Sequence, residues 1–112
     1  MKILILEDLK TVEKEKSEKM IIDFYADWCG PCKALSRNLE ALSNSSEGKS
    51  LEGLKVVKVN VDSYQSLAQK YNVRSLPTMV FLEGQDVVKT KVGSLSSNDL
   101  LTLIKETYEF KC

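Results

Sequence analysis

The stretch MIIDFYADWCGPCK, residues 20–33, decides the fold of this 112-residue chain. Its first seven residues are almost continuously apolar, which is typical of a strand covered on both faces of a sheet. The run leads into a Cys-x-x-C pair, Cys29 and Cys32, and Pro31 between them fits the first turn of a helix. We therefore expect a buried strand that delivers two cysteines to the start of a helix.

Strand and helix patterns alternate on both sides of this stretch. Upstream, residues 2–6 predict a short strand and residues 8–19 a solvated helix. Downstream, the predicted elements are a helix over residues 31–43, a polar loop over 43–53, a strand over 54–61, a short helix over 64–71, and two strands over 78–82 and 86–92 joined by a three-residue loop. A final helix opens at Ser96, which has capping-box spacing to Asp99. Its apolar stripe consists of Leu100, Leu103, Ile104 and Tyr108.

The element order β-α-β-α-β-α-β-β-α predicts an α/β fold. Its alternating part calls for parallel strands joined by right-handed crossovers, and its last two strands for an antiparallel hairpin. The expected architecture is a central mixed β-sheet with helices on both faces. The length fits one domain over residues 1–112.

Composition excludes several classes of function. The 16 Lys and Arg residues balance 16 Asp and Glu residues, and no basic cluster appears, so we expect no nucleic-acid partner. The chain has no His, which excludes Ser-His and Cys-His catalytic pairs and His-containing zinc sites. Proton transfer must therefore fall to carboxylates, thiols, Lys or Tyr.

The cysteine count and the apolar runs bear on the compartment. Three cysteines are an odd number and do not fit a disulfide-stapled secreted framework. The apolar run at residues 3–6 is too short for the core of a signal peptide, and no run approaches the roughly 20 apolar residues of a membrane span. We expect a cytoplasmic location and no membrane association.

The Cys-x-x-C pair predicts thiol–disulfide chemistry. At a helix N-terminus, unpaired N–H groups and the helix dipole favour the thiolate of Cys29. Cys32 follows one turn later, so Cys29 is expected to attack a substrate disulfide and Cys32 to resolve the mixed disulfide. The alternative is half of a zinc site. Zinc takes about four ligands, and with only Cys112 to add, carboxylates or a second chain would have to complete the set.

The same residues carry a resemblance to a known family. WCGPCK, residues 28–33, matches the active-site signature of the thioredoxin family. Four further segments resemble that family in the same order, namely IDFYA at 22–26, VKVNVD at 57–62, VRSLPT at 73–78 and KVG at 91–93. The resemblance covers nearly the whole chain and implies the thioredoxin fold.

Asp23 interrupts the buried-strand pattern six residues before Cys29. Burial should raise the pKa of its carboxyl, and a structural alternative is an aspartate that caps a backbone group. The resemblance implies that Asp23, through a water, takes the proton from Cys32 during resolution. It also implies Lys58 as the partner of Asp23, although Lys58 could equally be an exposed strand residue.

The resemblance implies a client-binding patch around Cys29. The Leu76–Pro77 bond is expected to be cis and to face the dithiol, which leaves the backbone of Leu76 free to pair with an extended client segment. The expected patch consists of Trp28, Gly30, Pro31, Leu76, Pro77, Val92 and Gly93. For Trp28, the alternative is a core side chain.

The chain also departs from the family pattern. Arg37 stands near a position that often holds a kinking proline, Ser75 replaces a common Gly, and Tyr25 a common Trp. The polar loop at residues 43–53 is longer than usual. Cys112 matches no family element, which leaves a frayed terminal thiol or an intermolecular disulfide as interpretations.

The implied function is that of a protein disulfide reductase and electron carrier, monomeric and without a bound cofactor. Its partners would be disulfide-containing client proteins and a flavin- and NADPH-dependent thioredoxin reductase. One alternative is an oxidase or isomerase, but those favour a His between the cysteines. The other is a binding module, for instance a polymerase accessory subunit, with incidental redox activity.

Overall fold

A computed structural model describes residues 1–6 and 19–108. Within this part the elements, in chain order, are β1 (Lys2–Ile5), β2 (Lys19–Tyr25), α1 (Gly30–Asn44), α2 (Ser46–Lys49), β3 (Leu54–Asn60), α3 (Gln65–Lys70), β4 (Thr78–Glu83), β5 (Asp86–Val92) and α4 (Ser97–Tyr108). The helix predicted for residues 8–19 falls outside the described residues, apart from Lys19, which opens β2 instead. Cys112 also falls outside them.

The five strands form one mixed sheet in the order β1-β3-β2-β4-β5. β1 and β2 run parallel to β3, whereas β4 is antiparallel to both β2 and β5. β2 is therefore the central strand, covered by hydrogen-bonded neighbours on both edges. This position explains its nearly continuous apolar sequence.

Alternate residues of β2 face two separate cores. Ile21 packs with leucines of α1 and with Leu100 and Ile104 of α4. Ile22 and Phe24 pack on the opposite face, against a cluster that includes Ala68 of α3. The α/β class and the mixed sheet with helices on both faces are thus confirmed.

The polar segment at residues 43–53 is not wholly a loop, so that prediction is wrong in part. Ser45 Oγ accepts a hydrogen bond from the backbone N–H of Gly48 at 3.0 Å and caps the single-turn helix α2. A Cβ on Gly48 would overlap the backbone carbonyl of Leu42 in α1. The absence of a side chain at this position lets α2 pack directly against the end of α1.

Two boundaries differ from prediction because of pairing. Glu83 pairs with Asp86, so the β4–β5 turn has two residues rather than three, and Gly84 takes a positive φ of 63° there. α4 begins at Ser97, one residue later than predicted, and Ser96 Oγ accepts from the Asp99 backbone N–H at 3.1 Å. Leu100, Ile104 and Tyr108 are buried as expected.

In the described ranges, no helix combines the length and the apolar character that crossing a membrane requires.

Candidate active site

Cys29 and Cys32 lie where β2 hands over to α1. Cys29 is the N-cap of α1, and its Sγ accepts a hydrogen bond from the backbone N–H of Cys32 at 3.2 Å. The two residues form a disulfide with Cα atoms 5.3 Å apart. Both side chains are nearly buried, with Cys29 5% and Cys32 3% exposed. The end of a central strand and the start of a helix thus present the pair at one edge of the sheet.

The two cysteines open onto different surfaces. Cys29 lines a groove of about 530 Å³ together with Trp28, Gly30, Pro31, Val61, Ala68, Val73, Arg74, Ser75 and Leu76. Cys32 lines a second cleft, of about 360 Å³, together with Tyr25, Ala26, Asp27, Lys33, Ser36 and Lys58. The two cysteines therefore belong to the walls of different clefts.

Trp28 forms one wall of the groove and is not a core side chain. Its side chain is 72% exposed, so the core interpretation is wrong. The indole Nε1 donates to Asp62 Oδ2 at 3.0 Å, which fixes the ring beside Cys29. A large apolar ring held at the surface is available for contact with another molecule.

The Leu76–Pro77 peptide bond is cis, as expected. Leu76 reaches the groove beside Cys29, and the buried Pro77 accepts a hydrogen bond at its carbonyl from the Gly93 N–H at 2.9 Å. Val92 is exposed, yet neither Val92 nor Gly93 is among the described residues that line the groove. This hydrogen bond links Pro77 to the loop that contains Gly93.

The predicted binding patch missed five residues of the groove wall, Val61, Ala68, Val73, Arg74 and Ser75. Val73, Arg74 and Ser75 directly precede Leu76 and Pro77, which the patch included. Their proximity along the chain could have identified these three. Val61 and Ala68 reach the groove only because β3 and α3 pack beside the active-site turn.

Asp23 is a buried carboxylate that forms no hydrogen bond with any residue the structure describes. It is 1% exposed, and neither side-chain oxygen contacts a donor among the described residues, so the cap interpretation is wrong. Burial raises the pKa of Asp23 from 3.8 to about 6, and the nearby charge of Lys58 opposes this rise. The carboxyl group can therefore gain or lose a proton near neutral pH.

Lys58 lies beside Asp23 in the sheet, but its ammonium group hydrogen-bonds to a different residue. The two residues are register partners on β2 and β3. The Lys58 ammonium donates to Ser36 Oγ on α1 at 2.6 Å and lies 5.0 Å from the ring centre of Tyr25. Its side chain is half-buried rather than a free surface group.

The zinc interpretation finds no support in the described ranges. There, no three side chains of His, Cys, Asp or Glu come together as a metal site would need. The two cysteines that would supply half of the site instead bond to each other.

This arrangement defines a class of protein. A disulfide at the N-terminus of a helix, beside a cis-proline loop and on a mixed sheet, belongs to the protein dithiol–disulfide oxidoreductases. The sequence model of the family described as thioredoxin matches residues 6–106. The chain belongs to the thioredoxin family.

Relatives and solved structures agree with this assignment. Thioredoxin from Chlorobaculum thiosulfatiphilum is 37% identical over 92 residues, 82% of each chain, and thioredoxin from Haemophilus influenzae is 35% identical over 99 residues, 88% of this chain and 89% of the relative. The structure of Malassezia sympodialis thioredoxin superimposes with a TM-score of 0.78 at 27% identity, covering 94% of this chain and 90% of the other. A mutant thioredoxin from Halobacterium salinarum also gives 0.78, at 29% identity, over 99% of this chain and 94% of the other. The protein is a protein disulfide oxidoreductase that works by thiol–disulfide exchange through Cys29 and Cys32.

Proposed function

We propose that this protein acts as a reductant and electron carrier, with Cys29 as the nucleophile and Cys32 as the resolving thiol. The supporting observation is that Cys29 lines the groove beside the exposed Trp28, while Cys32 lines a separate cleft. A client disulfide bound in the groove is therefore proposed to react with Cys29. The helix N-terminus around that sulfur stabilises its thiolate.

The exchange balances in two steps. The Cys29 thiolate attacks one client sulfur, forms a mixed disulfide and releases the other client sulfur, which takes up a proton. Cys32 then loses its proton and attacks Cys29, which forms the Cys29–Cys32 disulfide and frees the second client thiol. Two electrons pass to the client, and the protein is left oxidised.

Asp23 is the proposed general base for the second step. Its carboxyl has a pKa of about 6, so it is mostly ionised at neutral pH and still basic enough to accept a proton. The cleft beside Cys32 has room for the water that would relay the proton. Lys58, its register partner, is the proposed electrostatic partner.

Client proteins are proposed to dock in extended form on Trp28, Gly30, Pro31 and Leu76. Leu76 lines the groove together with Cys29, and its backbone is the proposed partner for strand-like pairing with a client segment. Gly93, which hydrogen-bonds to Pro77, and the adjacent exposed Val92 are proposed to extend the patch beyond the groove. Arg74, which also lines the groove, adds a positive charge to its wall.

We also propose an oligomeric state, a reductase partner and a cellular compartment for this protein. The protein is proposed to be a monomeric single domain with no bound cofactor, because the disulfide itself carries the electrons. A flavin- and NADPH-dependent thioredoxin reductase would reduce it again. We propose a cytoplasmic location, since a reducing compartment keeps a dithiol of this kind reduced.

Reduction of insulin by dithiothreitol, with and without the protein, tests the carrier function. The Cys29→Ser and Cys32→Ser variants should each lose the acceleration, whereas Cys112→Ser should keep it. The reduction potential of the Cys29–Cys32 pair should lie at or below that of the glutathione pool. A clearly more oxidising potential would indicate an oxidase or isomerase, and cellular function retained by the double Ser variant would indicate a binding module.

The Asp23→Asn variant tests the general base. Resolution of a mixed disulfide on Cys29, followed by stopped flow, should slow by about 100-fold or more near neutral pH, because a general acid or base typically contributes about 10²–10⁴-fold. Asp86→Asn, an exposed carboxylate on β5, serves as the matched control. An unchanged rate from pH 6 to pH 9 would exclude Asp23 as the base.

A further inference from the structure

Ser36 connects α1, the helix capped by Cys29, to Lys58 on β3. It lies one turn after Cys32, and its hydroxyl accepts the hydrogen bond from the Lys58 ammonium at 2.6 Å. The two residues are 22 positions apart in sequence, so the contact exists only because α1 packs on the sheet. Both side chains line the cleft that holds Cys32.

A second contact holds the same ammonium group. Lys58 Nζ lies 5.0 Å from the ring centre of Tyr25, within the range of a cation–π interaction. Together the two contacts draw the charge toward Ser36 and Tyr25. The Asp23 carboxylate, on the neighbouring register position, meanwhile has neither oxygen bonded within the described residues.

We propose that Ser36 is a positioning residue that holds the Lys58 ammonium beside the Tyr25 ring and so prevents it from pairing directly with Asp23. The inference rests on the proposed function of Asp23 as the general base. The Ser36 hydroxyl lies on α1, whereas the Asp23 carboxylate whose basicity it controls lies on β2.

The groups around Asp23 make this control effective. Lys58 faces it from β3, and Tyr25 lies two residues later on its own strand. From β4, its register partner is the apolar Met79. Asp27 and Lys33 line the same cleft as Lys58. Among the described residues, Lys58 is the cation whose charge acts on the Asp23 carboxyl, so its position decides how strongly the carboxylate is stabilised.

The consequence for chemistry follows from the sign of the interaction. An ammonium in direct contact lowers the pKa of a carboxyl by roughly 1–3 units. Asp23 would then ionise at lower pH but accept a proton from Cys32 less readily. By holding Lys58 away, Ser36 keeps Asp23 a stronger base near neutral pH.

The test compares Ser36→Ala with Ser36→Thr, which keeps the hydroxyl, and with Ser43→Ala. Ser43 is on the same helix and donates only a local bond, to the Glu40 carbonyl at 2.9 Å. The carboxyl carbon of Asp23 is titrated by NMR in the oxidised protein. We expect the midpoint to fall by roughly 1 unit in Ser36→Ala and to stay near that of the wild type in Ser36→Thr and Ser43→Ala.

Mixed-disulfide resolution measured against pH gives the second readout. In Ser36→Ala the acid limb of the rate should move to lower pH with the Asp23 midpoint, and the plateau should fall several-fold. A general loss of folding would lower the rate at every pH without moving the limb. The carboxyl titration requires no catalysis, so it remains decisive even then.

A Lys58→Met background tests whether Ser36 acts through the Lys58 ammonium. In a Lys58→Met background, Ser36→Ala should no longer shift the Asp23 midpoint, because Ser36 acts only through the ammonium. A midpoint unmoved by Ser36→Ala in the presence of Lys58, or moved equally in its absence, overturns the proposal. If the midpoint moves as expected but the resolution profile does not follow, Ser36 positions Lys58 as proposed and the base assignment of Asp23 fails instead.

Discussion

Asp23 is a single residue whose burial decreases the stability of the fold. This carboxylate lies at the centre of the sheet, where burial removes its hydration. In the described part of the chain no donor bonds to either oxygen, so no hydrogen bond replaces the lost contacts with water. Burial therefore favours the neutral acid, which raises the pKa of Asp23 to about 6. Such a residue decreases stability at neutral pH, and its retention is explained by chemistry rather than by folding.

Removal of this carboxylate should stabilise the protein at neutral and higher pH. The unfolded chain ionises Asp23 near pH 3.8 and the folded one near pH 6, so folding stability falls as pH rises between these values. The loss amounts to about 3 kcal/mol above pH 6, at about 1.36 kcal/mol per unit. Urea unfolding of oxidised Asp23→Asn should show a gain of up to this size at pH 8 and almost none at pH 4.

The exposed Asp86→Asn provides the control for this comparison. Its difference from the wild-type protein should be small at both pH values. A gain in Asp23→Asn that has the same size at pH 4 and pH 8 would contradict the titration argument.

At the scale of elements, the junction of α1 and α2 depends on one glycine. α1 runs without interruption from Gly30 to Asn44 through Arg37, which stands near a position that often holds a kinking proline in the family pattern. Directly after it, α2 crosses so closely that only a residue without Cβ fits opposite the Leu42 carbonyl. The longer polar segment is thus a packed helical turn rather than an open loop.

Gly48→Ala should therefore destabilise the fold. The new methyl group overlaps backbone rather than a movable side chain, so α2 must shift, at a cost of about 1–3 kcal/mol. Urea unfolding measures this loss. Lys49→Ala, at an exposed site of the same turn, should change stability by less than about 0.5 kcal/mol, and equal effects at both sites would exclude the packing explanation.

At the scale of the whole molecule, Tyr108 links the C-terminal helix to the middle of the sheet. Its hydroxyl lies 2.9 Å from the carbonyl oxygens of Met20 and Leu82, which share its single O–H in a bifurcated hydrogen bond. Met20 and Leu82 are register partners on β2 and β4. One side chain thus joins α4 to two strands, and burial raises the pKa of its hydroxyl, which stays a neutral donor.

Tyr108→Phe should lower the free energy of unfolding by about 1–3 kcal/mol, because it leaves buried carbonyl groups without this donor. Insulin reduction should be unchanged, since Tyr108 packs in the core formed by α1, α4 and the sheet, away from the groove. Thr102→Ala is the control, an exposed residue of α4 that bonds only within its own helix. A loss of activity that exceeds the loss of stability would contradict this purely structural role.

Much of the fold could be predicted because its signals are local. The nearly continuous apolar run of β2, the β-branched run of β3 and the roughly 3.6-residue spacing of the leucines in α1 are each visible within a single segment of the sequence. Element ends were less accurate, as at Ser96 and the β4–β5 turn, because pairing partners decide where a strand or helix stops. Helix α2 was missed because a four-residue turn has no period to detect.

The sequence by itself determined the chemistry of this protein: the thiol pair, the proline beside it, and an aspartate placed where burial makes its carboxyl basic. The tertiary structure decided which other groups lie next to the thiol pair and the aspartate. It separated Cys29 and Cys32 onto two surfaces, exposed Trp28, and gave the Lys58 ammonium to Ser36 rather than to Asp23. Residue types and short spacings are properties of the chain, whereas a contact across 22 or more positions exists only after whole elements have packed.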